Sequence, residues 1–222
     1  MPMEIVPNDE NLSTEIICII DKSGSMNSIK SDAIGGFNSF LNEQKELEDD
    51  TKITVSLFDS NYKPLYNSLP LTEAEELNEQ NYVPSSMTAL YDAVGLSIDE
   101  AKERYSNDPS SKPDRVLVVI LTDGEENRSR EYDQKRVFEM IEEQKNDDWE
   151  FIFLAANQDA MKAARAMNIS AGNSMDFAPT GQGTEAVYTA MSASVKSYRS
   201  SKLKKASKLM RDIDDNTEEK SN

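Results

Sequence analysis

Three oxygen-bearing side chains, Asp21, Ser23 and Ser25, stand at i, i+2 and i+4 directly after the apolar run Ile16-Ile17-Cys18-Ile19-Ile20. A looping or extended backbone at that spacing turns alternate side chains toward one point. One carboxylate and two hydroxyls make a hard-oxygen site, the kind that suits a divalent cation. Two more oxygens are similarly placed: Thr88, in a loop just before a helical pattern, and Asp123, just after the most apolar run of the chain. Two carboxylates and three hydroxyls fit Mg2+ or Mn2+, and fit Ca2+ less well, because calcium takes more ligands in looser geometry. With only Asp21 and Asp123 to offset a dication, residual positive charge remains to attract a carboxylate from outside. Each segment taken alone also fits a turn or a helix cap; it is the convergence of three loops that points to a metal.

Such convergence requires the elements that carry these loops to end at one edge. Glu15–Ile20 is a β-branched run of strand length, as expected of a strand covered on both faces. Ile29, Ala33, Ile34, Phe37, Phe40 and Leu41 then recur at helical spacing, up to a charged stretch from Glu43 to Asp50. Ile53–Phe58 is a second strand, and Lys63–Tyr66 a short return beside it, with Pro64 suited to an edge. Thr72 and Glu75 form a capping-box signature that predicts a brief helix over Leu71–Leu77. Leu90, Val94, Ile98 and Ala101 mark a longer helix, Arg115–Leu121 a central strand, and Val137, Met140 and Ile141 another helix. Trp149–Leu154 reads as strand and Asp159–Met167 as helix, with a weak edge strand within Ile169–Phe177 and a long helix over Glu185–Met210. Gly181-Gln182-Gly183-Thr184 lacks the remaining glycine and acidic partner of a nucleotide loop and reads as a turn and helix cap. Strands alternating with helices predict an α/β fold, with a mostly parallel sheet of about six strands, one short antiparallel edge strand, and helices on both faces. Such sheets bind ligands outside the carboxyl ends of their strands.

Composition removes many alternatives. The 222 residues carry 24 Lys+Arg against 41 Asp+Glu, a net charge of -17, which disfavours nucleic acid and anionic membrane as partners. The absence of histidine excludes Ser-His-Asp and Cys-His catalysis and every histidine-bearing zinc site. Cys18, the one cysteine, lies in an apolar strand and is expected to pack in the core. Residues 1–13 have no basic segment followed by an apolar stretch, no run of about eighteen apolar residues occurs, and the chain is read as cytoplasmic. The expected organisation is an N-terminal extension over 1–13, one domain over 14–211, and a disordered polar tail over 212–222. Lys196, Arg199, Lys202, Lys204, Lys205, Lys208 and Arg211 are expected to form a solvated helix face.

Asp21-Lys22-Ser23-Gly24-Ser25-Met26 resembles the D-x-S-G-S-M form of the metal-ion-dependent adhesion site (MIDAS) of von Willebrand factor A-type domains. Met87-Thr88-Ala89-Leu90 and Leu121-Thr122-Asp123-Gly124 resemble the two segments that complete it. The resemblance covers roughly Glu15 to Met210. It implies a Rossmann-like, doubly wound fold whose last helix can shift on ligand binding. It also implies that Ser23 and Ser25 ligate the ion directly, while Asp21 and either Thr88 or Asp123 coordinate it directly or through water. The partner implied is a protein that presents Asp or Glu to the metal, and stand-alone bacterial domains of this kind often work beside AAA+ ATPases or in multi-protein complexes. Met26, Asn27, Met87, Glu125, Glu126 and Asn127 form the candidate recognition rim.

Two rival readings are a metal-dependent hydrolase or phosphotransferase, and a structural subunit docking through its C-terminal helix. The first is disfavoured because the second aspartate of a D-x-D pattern and a lysine-bearing phosphate loop are both missing.

Overall fold

The computed structural model describes residues 12–156 and 158–200. Six strands form one sheet: β1 (Thr14–Asp21), β2 (Thr51–Phe58), β3 (Tyr62–Pro70), β4 (Arg115–Thr122), β5 (Trp149–Ala155) and β6 (Ser174–Asp176). Among the described residues there are five α-helices: α1 (Lys30–Lys45), α2 (Leu90–Asn107), α3 (Gln134–Asn146), α4 (Gln158–Ala166) and α5 (Gly181–Ser200). The strand order is β3-β2-β1-β4-β5-β6, with β2 and β3 antiparallel and every other pair parallel. The mostly parallel α/β fold expected from the sequence is therefore the one observed.

β1 is buried along its whole length, and its alternating side chains feed two cores. Ile16, Cys18 and Ile20 pack with residues of α1 and α5, whereas Ile17 and Ile19 pack with residues of α2, α3 and α4. The chain leaves β1 toward β2 on one side and returns to β4 on the other. A crevice must therefore open at the carboxyl ends of β1 and β4, where the order of connection reverses.

Four local expectations need correction. The capping box at Thr72 yields only a 3-10 turn over Leu71–Glu73. Leu71, Ala74 and Leu77 are buried along a non-helical path, and α1 satisfies the backbone there: Asn38 Nδ2 donates to Leu77 O (2.9 Å), Leu77 N donates to Asn38 Oδ1 (2.8 Å), and Lys45 Nζ donates to Ala74 O (2.7 Å). The edge strand runs nine residues rather than four, with register shifts against β2. Gly181-Gln182-Gly183-Thr184 lies inside α5, and Thr180 Oγ1 caps the helix by accepting from Gly183 N at 3.2 Å. Gly183 has to be glycine, because a Cβ would stand 2.1 Å from Ala178 O.

The fourth concerns Arg199, which is buried instead of solvated. Its guanidinium forks onto Asp49 (2.6 and 3.0 Å) and donates to the carbonyls of Gln44 (2.7 Å) and Leu47 (3.4 Å) at the end of α1. Arg115 answers from β4, donating to Tyr198 O at 2.8 Å and Arg199 O at 2.9 Å. Cys18 is buried in the core as expected. Residues 1–11 of the expected extension, the expected continuation of the last helix to Met210, the basic residues beyond Ser200 and the 212–222 tail lie outside the described residues. Among the described residues no helix is long and apolar enough to cross a membrane.

Candidate metal centre

Asp21 closes β1, and Asp123 directly follows β4, so the two carboxylates meet across adjacent parallel strands. The chain turns at Ser23 and enters a 3-10 turn over Gly24–Ile29. Asp21 Oδ1 accepts from Ser23 N (2.6 Å) and its Oδ2 from Thr122 Oγ1 (2.6 Å), so the carboxylate is held from both sides. Ser23 Oγ lies 3.1 Å from Ser25 Oγ, which donates to Asp123 Oδ1 at 2.7 Å. Thr88 arrives just ahead of α2 and is clamped by Asn127: Thr88 N donates to Asn127 Oδ1 (2.9 Å) and Asn127 N to Thr88 O (3.0 Å). A Cβ on Gly124 would stand 2.8 Å from Thr88 Oγ1, so glycine there lets the threonine loop close on the Asp123 loop. Side-chain oxygens of Asp21, Ser23, Ser25 and Asp123 thus gather at one point, with Thr88 against the neighbouring backbone.

The electrostatics of this cluster favour a cation. Asp21 is fully buried; desolvation pushes its carboxyl up to about 6, against the lowering effect of the Thr122 and Ser23 hydrogen bonds, and repulsion from Asp123 adds to the rise. Burial likewise raises Asp123 despite the hydrogen bond from Ser25. Two desolvated carboxylates that repel each other would both be stabilised in the ionised form by a dication between them. Among the described residues no group of three His, Cys, Asp or Glu side chains is placed to hold a metal ion, so a cation here must draw on hydroxyls. Hard oxygens from two carboxylates and neutral hydroxyls are a donor set that fits magnesium or manganese.

The lysine of the first loop is turned away from the cluster. Lys22 Nζ pairs with Asp59 at the end of β2, and Asp59 also accepts from Ser85 Oγ (2.9 Å) and Asn61 N (2.8 Å). Lys22 N donates to Phe58 O (2.7 Å), Ser85 N to Lys22 O (2.8 Å), and Ala89 N to Asp59 O (2.8 Å). Asp59 therefore ties the Asp21–Ser25 loop to the loop that delivers Thr88. Tyr82 OH donates to Asp21 O at 2.7 Å from the same loop. No local spacing marks Asp59, Tyr82 or Thr122 in the sequence, because their contacts follow from tertiary packing. The Thr122 contact follows from the strand register of the folded sheet, in which Ile20 pairs with Leu121 and the next residues are Asp21 and Thr122.

The expected rim divides. Asn27, Met87, Glu125 and Asn127 are exposed. Met26 is not on the rim: it is fully buried in the core beside α1, because the 3-10 turn directs it inward. Glu126 is committed internally, accepting from Tyr91 N (2.9 Å), Arg128 N (2.8 Å) and Ser129 N (2.7 Å), and so braces the loop against the start of α2.

No family model and no curated protein matches the sequence. Solved structures do match. The PilB minor pilin from Streptococcus sanguinis superposes with a TM-score of 0.56 at 9% identity, covering 86% of this chain and 63% of that one. Manganese-loaded TRAP protein from Plasmodium vivax gives 0.55 at 16% identity, covering 80% and 72%. The vWF domain of the type V pili tip protein Mfa5 from Porphyromonas gingivalis gives 0.57 at 7% identity, covering 82% and 96%. The chain thus spans less than two thirds of the pilin, and nearly the whole of the Mfa5 domain. At these identities the likeness concerns the fold alone, and this chain has the same kind of mostly parallel α/β fold as the vWF domain of Mfa5.

Proposed function

We propose that the chain is a protein-binding domain that acts through one divalent cation, Mg2+ or Mn2+, held by Asp21, Ser23, Ser25, Thr88 and Asp123. The observation that carries this reading is the meeting of loops from β1 and β4 at the switch point of the sheet, where two buried, mutually repelling carboxylates share a cluster with serine hydroxyls. When bound, the ion supplies residual positive charge that accepts an Asp or Glu side chain of the partner. The chain's own part is positional. Thr122 and Ser23 orient Asp21, Asn127 fixes Thr88, and Asp59 keeps the first loop against the second. The manganese in TRAP supports a divalent cation on this fold. Binding is favoured over catalysis because the chain has no histidine to serve as a general base and the cluster offers no second D-x-D carboxylate.

Thermal unfolding with MgCl2, MnCl2 or EDTA tests the reading, because a ligand that binds only the native state stabilises it by mass action. The wild-type protein should gain stability with either metal, and Asp21→Asn and Asp123→Asn should gain none. An identical unfolding temperature for the wild type in metal and in EDTA would overturn the proposal.

A further inference from the structure

Among the described residues only two large apolar side chains are exposed, Val83 and Met87, each at 51%. Isolated exposed apolar residues are ordinary on a protein surface. These two share one loop, the one that delivers Thr88, and that loop is fastened to the first metal loop: Gly24 N donates to Ser86 O at 3.1 Å and Ser85 N to Lys22 O at 2.8 Å. Ser86 holds a left-handed backbone (φ 65°) between those anchors, and Met87 N donates to Ser60 Oγ at 3.2 Å. Both residues thus sit on a fastened loop at the border of the candidate metal centre: Met87 directly precedes Thr88, and Val83 directly follows Tyr82, whose OH donates to Asp21 O at 2.7 Å.

Charge then narrows the partner. A net charge of -17 repels an acidic protein at long range and draws in a basic one. Exposed Arg128 and Arg130 on the Asp123 loop are offset by exposed Glu125 and Glu131, so the loop does not reverse that field. Only at the ion would a carboxylate be welcome.

We infer that the partner is a protein of basic overall charge whose contact segment carries a large apolar side chain within a residue or two of its metal-seeking Asp or Glu, with Val83 and Met87 as the seat for that side chain. This inference rests on the metal-dependent reading above.

Short synthetic peptides test it on the full chain in MnCl2, by fluorescence anisotropy. The set comprises a lysine-flanked Leu-Glu core, its Ala-Glu and Leu-Gln versions, and a glutamate-flanked Leu-Glu core. The lysine-flanked Leu-Glu peptide should bind tightest, and the Ala-Glu version about tenfold more weakly. Affinity for the first should fall as salt rises from about 50 to about 300 mM. V83S/M87S should bind both peptides at the weaker level while keeping the wild-type thermal response to manganese. Equal binding of the leucine and alanine peptides, preference for glutamate flanks, or no binding by any peptide to a metal-responsive protein would overturn the inference and leave the metal reading standing. Leu-Glu binding that survives EDTA, or is matched by Leu-Gln, would overturn both.

Discussion

Asp59→Asn removes a charge while keeping the shape of a side chain that joins two of the loops around the proposed metal centre. Asp59 is 4% exposed and takes hydrogen bonds from the Lys22 ammonium, Ser85 Oγ and Asn61 N. Deleting one member of a buried ion pair costs about 3–5 kcal/mol. Two features reduce that here. The Lys22 side chain is 13% exposed and keeps a route to water, and the amide oxygen still accepts one bond. About 2–3 kcal/mol is therefore expected, a large share of the roughly 5–15 kcal/mol that stabilises a typical domain. Loosening the loop should also weaken Mn2+ binding by about tenfold, the scale of losses when groups that orient metal ligands are removed. Urea unfolding without metal measures the first effect and titration calorimetry the second. In a double-mutant cycle with Lys22→Met, the combined loss should fall well short of the sum. A variant within about 0.5 kcal/mol of wild type, with unchanged manganese affinity, would refute the role given to Asp59.

The same pair fixes a pH dependence. Burial raises the Asp59 carboxyl, but hydrogen bonds from Lys22, Asn61 and Ser85 outweigh it and hold the group below the usual carboxylate range. A group depressed in the folded state contributes stability that is present above its unfolded value, near 3.9 for aspartate, and lost as pH falls through the folded one. Wild-type urea midpoints should therefore drop on acidification below about pH 4, and those of Asp59→Asn should drop less.

Substitutions at Arg199 and Gly36 probe the packing of α5 against α1. Arg199→Ala, which strips α5 of its fork onto Asp49 and its bonds to the end of α1, should cost about 3–5 kcal/mol. Arg199→Lys should recover only part of that, since an ammonium cannot reproduce the fork; an alanine variant with a wild-type urea midpoint would contradict the clamp. Gly36→Ala would place a Cβ 2.2 Å from the Tyr188 ring and should cost about 1–3 kcal/mol by overpacking. Tyr188→Leu in the same chain should relieve much of this loss in thermal unfolding, and a Gly36→Ala variant as stable as wild type would refute that contact.

What the sequence reveals about the site is what local spacing encodes. Asp21, Ser23 and Ser25 lie within five residues at the end of an apolar strand, and the rule that parallel sheets bind at their carboxyl edge extends the reading to Asp123. The alternation of apolar runs and helical periods likewise announces the order of β1, α1, β2, α2, β4, α3 and β5, because burial on two faces leaves a continuous apolar strand. The helix expected at Leu71 fails for a nonlocal reason: Asn38 and Lys45 of α1 take up the backbone groups that a helix would have satisfied itself.

Tertiary structure alone decided which polar groups face one another. That Thr122 holds Asp21, that Lys22 turns to Asp59 and that Arg199 is a buried clamp all depend on strand register and helix packing between residues distant in the chain. The oxygens of the proposed metal centre are written in the sequence because each loop carries its own; the bonds that hold them in place form only when the strands lie side by side.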